Sequence, residues 1–217
     1  MTATLHWIID PICGWSYGAL PLINAVQEKF PTLQHFHLGG LYIANSRQKM
    51  TPELRERIVQ YDQHIHQLTG VQFGYVYKNQ LLNGSTLFLD SFAATRVLLT
   101  AKNYLNTDKY VVLLNKIQTE YYKNGLNITQ IQVLNELIAT LDLGITFAQW
   151  QTWFSEVDEM QIAQEIQQSR ELMTHVRGHG FPTLVLKHDQ KSWKKIDVSN
   201  YYKHPNELIQ YLEKQLY

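Results

Sequence analysis

The hydrophobic pattern at the start of the chain predicts a strand, a helix and a second strand. Residues 4–10 read TLHWIID, an apolar, β-branched and aromatic run that is typical of a buried strand. From Cys13 to Phe30 apolar residues recur at helical spacing, and Pro21 within this run predicts a kink. Residues 33–38 alternate between apolar and polar side chains, as in a second strand. So short a crossover predicts that the two strands are parallel neighbours.

The middle of the chain, residues 51–176, has a mostly helical pattern. Thr51 is expected to cap a helix that begins at Pro52, runs to Leu68 and stops at Gly70. The segments that follow are one irregular stretch over 73–85 and five predicted helices over 90–104, 109–123, 129–141, 146–155 and 158–177.

The end of the chain returns to strand signals. Residues 183–186 are apolar and β-branched, and residues 192–198 alternate, which predicts an antiparallel hairpin with its turn in 187–191. A last helix is predicted over 206–216. The order is therefore βαβ, a helical insertion, and ββα. Because each β-rich end is too small to fold alone, we expect the two ends to join into one four-stranded sheet.

Composition supports a folded core and limits the classes of partner. The 217 residues are 45% hydrophobic and 18% charged, which excludes global disorder. Nineteen basic and nineteen acidic residues cancel, so binding to nucleic acid or an anionic membrane by bulk charge is not expected. No apolar run approaches the roughly 18 residues that span a bilayer, and no secretory signal is recognised. We therefore expect a cytoplasmic protein. A neutral, aromatic-rich chain can self-associate, so a homodimer is one expectation for its assembly.

The single cysteine, Cys13, is the first candidate for chemistry. One cysteine excludes a disulfide within the chain and a cysteine-rich metal site. Cys13 stands where the first strand gives way to a helix, and the unpaired N–H groups and the dipole of a helix start stabilise a thiolate. We therefore expect a lowered pKa and a reactive thiol. A buried, unreactive cysteine is the competing interpretation.

Two further elements extend this hypothesis. Ser16 follows three residues after Cys13 on the same helix face, and its hydroxyl can donate to a thiolate but cannot form a disulfide. Exchange at Cys13 would therefore stop at a mixed disulfide until an external thiol arrives. Residues 180–183 read GFPT just before an apolar strand, which predicts a tight turn. An ordinary trans proline that opens a strand is the competing interpretation, but together with the cysteine at a helix start and the βαβ…ββα order the position favours a cis bond before Pro182.

The residues around Cys13 resemble a known active-site signature. The run Asp10-Pro11-Ile12-Cys13-Gly14-Trp15-Ser16-Tyr17-Gly18 is similar to that of the DsbA-like thioredoxin-fold family, specifically its FrnE-like branch of predicted protein-disulfide isomerases, which usually reads D-P-x-C-x-W-C-Y-G. Gly180-Phe181-Pro182-Thr183 resembles the cis-proline loop that faces the catalytic cysteine. The resemblance implies an α/β thioredoxin-like fold with a mixed four-stranded sheet. Residues 1–50 and 177–217 would form the thioredoxin-like domain, and 51–176 a large all-helical insertion.

By this resemblance the protein is a thiol–disulfide oxidoreductase. Cys13 is the expected nucleophile, Ser16 stands where the family has its resolving cysteine, and Pro182 completes the catalytic set. The expected substrate-binding residues are Pro11, Gly14, Trp15, Gly180 and Phe181. No tightly bound cofactor is expected, with glutathione as co-substrate and a disulfide-containing protein or a glutathione conjugate as partner.

Two other functions remain as alternatives. Kappa-class glutathione transferases and 2-hydroxychromene-2-carboxylate isomerases look similar, but usually carry a serine near the position of Cys13 and activate the thiol of bound glutathione. A thioredoxin-fold binding module without turnover is the third hypothesis. The nine histidines show no metal-ligand spacing, so no metal is expected. His175 and His179 are either solvated loop residues or lie near Cys13.

Overall fold

The chain forms one mixed four-stranded sheet and one small two-stranded sheet surrounded by helices. The computed structural model describes residues 3–188 and 192–216. Its strands are β1 (Thr4–Ile9), β2 (Gln34–Leu38), β3 (Gln48–Lys49), β4 (Phe88–Leu89), β5 (Thr183–Lys187) and β6 (Trp193–Ile196). The main sheet has the order β2-β1-β5-β6, and β3 pairs with β4 in the small sheet.

Strand directions in the main sheet agree with the sequence prediction. β1 is parallel to β2, with Trp7 opposite Phe36, and antiparallel to β5, with Trp7 opposite Leu184. β5 and β6 form the predicted antiparallel hairpin. Of its predicted turn, residues 189–191 lie outside the described residues. The βαβ and ββα ends of the chain thus meet in one sheet, as predicted.

The helices account for most of the remaining chain. They are α1 (Gly14–Gly18), α2 (Leu20–Lys29), α3 (Pro52–Thr69), α4 (Phe92–Tyr104), α5 (Thr107–Tyr122), α6 (Ile131–Ala139), α7 (Phe147–Glu156), α8 (Glu159–His175) and α9 (Pro205–Leu216). Each predicted helix is present within a few residues of its expected bounds. In α3, the Thr51 hydroxyl accepts the N–H of Leu54, and Gly70 ends the helix at a φ of +82°, where glycine avoids strain.

Two sequence expectations need correction, and one pair of strands was not predicted. The first predicted helix is two helices that meet at Ala19, because Pro21 lies in the first turn of α2 and so costs that helix no hydrogen bond. The β3–β4 pair was not predicted, since two residues per strand give no readable alternation. The segment 73–85, expected to be irregular, contains a π-helical turn at Tyr77–Leu81.

The main sheet is buried on both faces, and its helical cover sets the position of the candidate site. Trp7 and Ile8 are neighbours whose side chains point to opposite faces of β1, and neither is exposed. At the end of β1 the chain enters α1, which packs against α3. A Cβ on Gly14 would lie 2.9 Å from the Ile65 Cδ1 atom, so the two helices approach closely here and a larger residue would have to displace the Ile65 side chain. The insertion therefore lies directly against the segment that carries Cys13.

Candidate active site

Cys13 lies against the proline turn that sequence analysis predicted. Its backbone is extended, at φ −92° and ψ 117°, and it is the residue that precedes α1. The thiol is 8% exposed and donates to the carbonyl oxygen of Phe181 at 3.4 Å. The Phe181–Pro182 bond is cis, as predicted. Folding thus brings together two elements that are 168 residues apart in the chain.

Hydrogen-bond donors from the first turn of α1 surround the Cys13 sulfur. The N–H groups of Ser16 and Trp15 and the Ser16 hydroxyl lie near it and favour its thiolate, although the Cys13 side chain does not cap α1 by accepting a hydrogen bond. The Ser16 side chain is fully buried, and its Oγ accepts the N–H of Asp10 at 3.2 Å. Ser16 therefore lies behind the sulfur, held by the backbone at the end of β1.

The thiol is nevertheless harder to ionise than a free cysteine. Burial raises the pKa of Cys13 to about 11, and the nearby Asp10 carboxylate also opposes a thiolate, against the stabilising hydrogen bonds from Ser16 and Trp15. The expectation of a lowered pKa is therefore wrong for this structure. The physical reason is that α1 has only five residues, so its dipole is small, while the sulfur has lost contact with water.

This pKa predicts how Cys13 reacts with an alkylating agent. Because only the thiolate reacts, the iodoacetamide rate should rise about tenfold per pH unit from pH 7 to 10 without reaching a plateau. For the same protein unfolded in urea, the alkylation rate should level off as the pH passes the ordinary cysteine pKa of about 8.5. A plateau below pH 8.5 in the folded protein would contradict the prediction and show that the helix start outweighs burial.

Asp10 braces the loop that carries Cys13. Its Oδ1 accepts the N–H of Ile12 at 2.9 Å and the hydroxyl of Ser91 at 3.0 Å, and its Oδ2 accepts the N–H of Leu41 at 2.6 Å. Burial raises the pKa of this carboxyl to about 6, against the effect of these hydrogen bonds. Each buried donor left without its partner would cost about 1–3 kcal/mol. Asp10 therefore ties β1, the Cys13 loop and the start of α4 together.

A cavity of about 380 Å³ lies on the proline side of the site. The Trp15 ring, which lines it, stacks on Tyr202 with 6.0 Å between ring centroids. The other lining residues include those of the proline turn, of β6 and of the segment after it, namely His179, Gly180, Phe181, Pro182, Lys195, Asp197 and Ser199. The cavity thus offers aromatic surface, the turn before β5 and charged groups of both signs.

A second cavity, of about 220 Å³, lies on the side of the helical insertion. Cys13, Gly14 and Trp15 form one part of its wall. The facing residues come from the insertion and the loop before it, and include Tyr42, Ile58, Tyr61, Asp62, Ile65, Tyr77, Tyr121 and Tyr122. Trp15 therefore lines both cavities, and Cys13 lines the smaller one.

Most of the predicted site residues meet at these two cavities. They are Cys13, Gly14, Trp15, Gly180, Phe181 and Pro182, with Ser16 buried behind the sulfur. Pro11 lines neither of the two, and its carbonyl accepts the side-chain amide of Gln118 at 3.3 Å. His179 lines the proline-side cavity, whereas His175 lines a separate one of about 1,020 Å³ along α8, to which Cys13 does not contribute.

Sequence reasoning missed the residues that the insertion contributes. Asp10 lies outside the insertion, and the sequence pointed to it because it is the first residue of the recognised motif. Asp62 and Ser91 left none, because only the packing of α3 and α4 onto the Cys13 loop brings them to the site.

Across residues 3–188 and 192–216, no group of three or more His, Cys, Asp or Glu side chains is placed to hold a metal ion. No helix in these ranges combines the length and apolar character that crossing a bilayer requires.

Comparisons with solved structures place this geometry among known proteins. The chain is 33% identical to the cytosolic disulfide reductase DsbM from Pseudomonas aeruginosa, with 98% of each chain covered and a TM-score of 0.85. The structure of that protein with GSH matches at 32% identity, 98% coverage of each chain and a TM-score of 0.84. A 2-hydroxychromene-2-carboxylate isomerase matches at 11% identity, with 98% of this chain and 97% of that chain covered and a TM-score of 0.58, which shows a shared fold. No protein-family model and no curated protein sequence matches the chain.

Proposed function

This chain belongs to the DsbA-like family of thioredoxin-fold disulfide oxidoreductases, and we propose that it is a glutathione-dependent disulfide reductase that works through Cys13 alone. One observation carries the proposal: the Cys13 sulfur lies 3.4 Å from the carbonyl of Phe181, the residue before the cis-proline. A substrate chain that pairs with the Phe181 backbone would therefore bring its disulfide next to the sulfur. The name of the 33% identical reductase supports the same activity and a cytosolic location.

The chemistry follows from a single sulfur. The Cys13 thiolate attacks one sulfur of a disulfide, a mixed disulfide forms, and the other half leaves as a thiolate that takes up a proton. Ser16 cannot resolve this intermediate, so the thiolate of glutathione attacks the substrate-derived sulfur, forms a disulfide with it and releases Cys13. Cys13 leaves this exchange as the thiolate that entered it, and the products are one substrate thiol and a mixed disulfide of glutathione with the other half of the substrate. A second turnover completes the reduction: Cys13 attacks the glutathione sulfur of that mixed disulfide, the second substrate thiolate leaves, and another glutathione releases Cys13 and forms glutathione disulfide. The two electrons that reduce the substrate therefore come from two glutathione molecules.

The raised pKa of Cys13 acts on both steps of the exchange. A dithiol protein is a strong oxidant when its thiolate is strongly stabilised, because the stabilised thiolate is then the favoured product. Here burial raises the pKa of Cys13 to about 11, so its thiolate is a poor leaving group and a strong nucleophile. The strong nucleophile favours attack on a substrate disulfide, whereas the small thiolate fraction at neutral pH slows that attack and the poor leaving group slows the release of Cys13 by glutathione.

The proline-side cavity is the proposed glutathione site. Lys195 and Asp197 place a positive and a negative side chain on the wall that also carries Phe181. A glutathione molecule has carboxylates and an ammonium group to match these charges, and Trp15 offers an apolar surface for its central part. The DsbM structure with GSH supports glutathione as a partner. A disulfide-containing protein is the proposed second partner, with Gly180 leaving open space at the groove.

The proposal also assigns separate roles to two parts of the chain. Residues 1–50 and 177–217 would act as the thioredoxin-like domain that holds Cys13, Ser16 and Pro182. Residues 51–176 would act as an insertion domain that closes one side of the site through α3. Pro11, which is buried, would support the Cys13 loop rather than touch substrate.

Formation of a glutathione adduct tests the proposed function. The reduced protein, incubated with oxidised glutathione at pH 8, should gain the mass of one glutathione at Cys13, and excess reduced glutathione should remove it. In a coupled assay, glutathione disulfide should then appear in proportion to the substrate disulfide reduced. Failure to form an adduct even at pH 10, where more of the thiol is ionised, would rule the proposal out.

A further inference from the structure

Asp62 on α3 is a buried acid with an incomplete set of partners. The residue is 4% exposed, and its Oδ2 has no hydrogen-bond partner. Within residues 3–188 and 192–216, no lysine, arginine or histidine forms an ion pair with it. The Tyr77 hydroxyl hydrogen-bonds to this carboxyl, and Lys78 exerts only a weaker, more distant attraction. A carboxylate in this setting is destabilised until a positive charge or further donors reach it.

Asp62 lies next to the reactive sulfur. It lines the 220 Å³ cavity to which Cys13 also contributes. Its Oδ1 is 3.2 Å from the position that a Cβ on Gly14, the next residue after Cys13, would occupy. A group bound beside Asp62 would therefore lie in the cavity that Cys13 also lines, close to the residue that follows Cys13 in the chain.

The remaining wall of this cavity is made of aromatic and aliphatic side chains. Tyr42 and Tyr61 line it from one side and Tyr121 and Tyr122 from another, together with the ring of Trp15. A carboxylate among aromatic rings attracts a cation, because the faces of the rings carry partial negative charge and the carboxylate a full one. The same surroundings repel a carboxylate or phosphate, and a neutral hydroxyl would gain one hydrogen bond without the charge attraction.

We propose that this cavity is a subsite for a protonated amino group carried by one half of the substrate disulfide. Small disulfides with an ammonium arm would thus be reduced in preference to neutral ones of the same length. The inference rests on the proposed reductase function and adds its substrate class. The covalent step is unchanged: the bond between Cys13 and one substrate sulfur forms as the substrate S–S bond breaks, and the released thiolate takes up a proton from water.

Two isosteric disulfides test the subsite. Cystamine and bis(2-hydroxyethyl) disulfide differ only in an ammonium or a hydroxyl at the end of the same two-carbon arm. With glutathione as reductant, kcat/KM for each is divided by its uncatalysed rate with glutathione, which removes the difference in intrinsic reactivity. We expect the wild-type ratio of cystamine to the hydroxyl compound to exceed about tenfold, the value of a charge-assisted hydrogen bond. In Asp62→Asn the ratio should fall to about one.

The controls separate the subsite from the reaction. Glu56→Gln removes the same charge from an exposed position on the same helix and should keep the wild-type ratio. Asp62→Asn should unfold at a temperature no lower than that of the wild type, since it removes a buried carboxylate. Binding is measured separately by calorimetry, in which cystamine is titrated into Cys13→Ser. The binding heat should be lost in the double variant that carries both Cys13→Ser and Asp62→Asn.

The outcomes distinguish failure of the subsite from failure of the proposed function. Turnover of both disulfides with a ratio near one, or a ratio that Asp62→Asn leaves unchanged, would overturn the subsite and keep the reductase function. Cystamine binding that depends on Asp62 without any turnover would support the subsite and overturn the proposed function.

Discussion

Replacing Cys13 with serine is expected to abolish disulfide reduction. A serine hydroxyl does not form a mixed disulfide, and the sequence holds no second cysteine that could take over the reaction. Removal of a nucleophile that forms the covalent intermediate costs at least about a thousandfold in kcat. The measurement is glutathione-dependent reduction of a small disulfide by Cys13→Ser and wild type, with unfolding temperatures to show that both are folded.

Ser16→Ala is the matched control for this experiment. It removes a hydroxyl of the same size from the same turn but leaves the sulfur in place. Because the hydroxyl contributes one hydrogen bond to the sulfur, the loss should stay near tenfold. Glutathione conjugation that survives Cys13→Ser would instead support transferase chemistry, in which a residue at the helix start activates the thiol of bound glutathione.

Replacing Ser16 with cysteine is expected to convert the enzyme from a one-thiol to a two-thiol mechanism. Ser16 is in the first turn of α1, and its hydroxyl is near enough to the Cys13 sulfur to favour the thiolate, so a thiol in its place lies within reach of a mixed disulfide. A well-oriented internal thiol acts at an effective concentration far above that of glutathione in solution. The lifetime of the glutathione adduct should therefore shorten by at least about a thousandfold.

Mass spectrometry distinguishes the two mechanisms. After treatment with oxidised glutathione, Ser16→Cys should carry an internal disulfide and no glutathione, whereas the wild type and Ser16→Ala should carry one glutathione at Cys13. Because Ser16 is fully buried, the unfolding temperature of Ser16→Cys is first compared with that of the wild type. A persistent glutathione adduct in folded Ser16→Cys would show that the first turn of α1 holds the two side chains too far apart.

Local sequence signals were sufficient to predict most of the fold. The run before Cys13 reads as a strand because its apolar, β-branched side chains are buried on both faces, and Thr51 and Gly70 mark the ends of α3 through their caps. These signals concern neighbours in the chain, so a sequence displays them directly. The β3–β4 pair escaped prediction because its stability comes from segments about forty residues apart, not from its own composition.

The sequence by itself determined the candidate nucleophile, the serine beside it and the cis-proline turn, since each belongs to a short, recognisable run of residues. Only the tertiary structure decided the charge state of Cys13 and the second wall of the site. The pKa of a thiol depends on how much water the fold removes from it, and burial here outweighs the helix start that the sequence displays. Asp62 reaches the site because α3 packs on Gly14, a contact between residues that no local pattern connects.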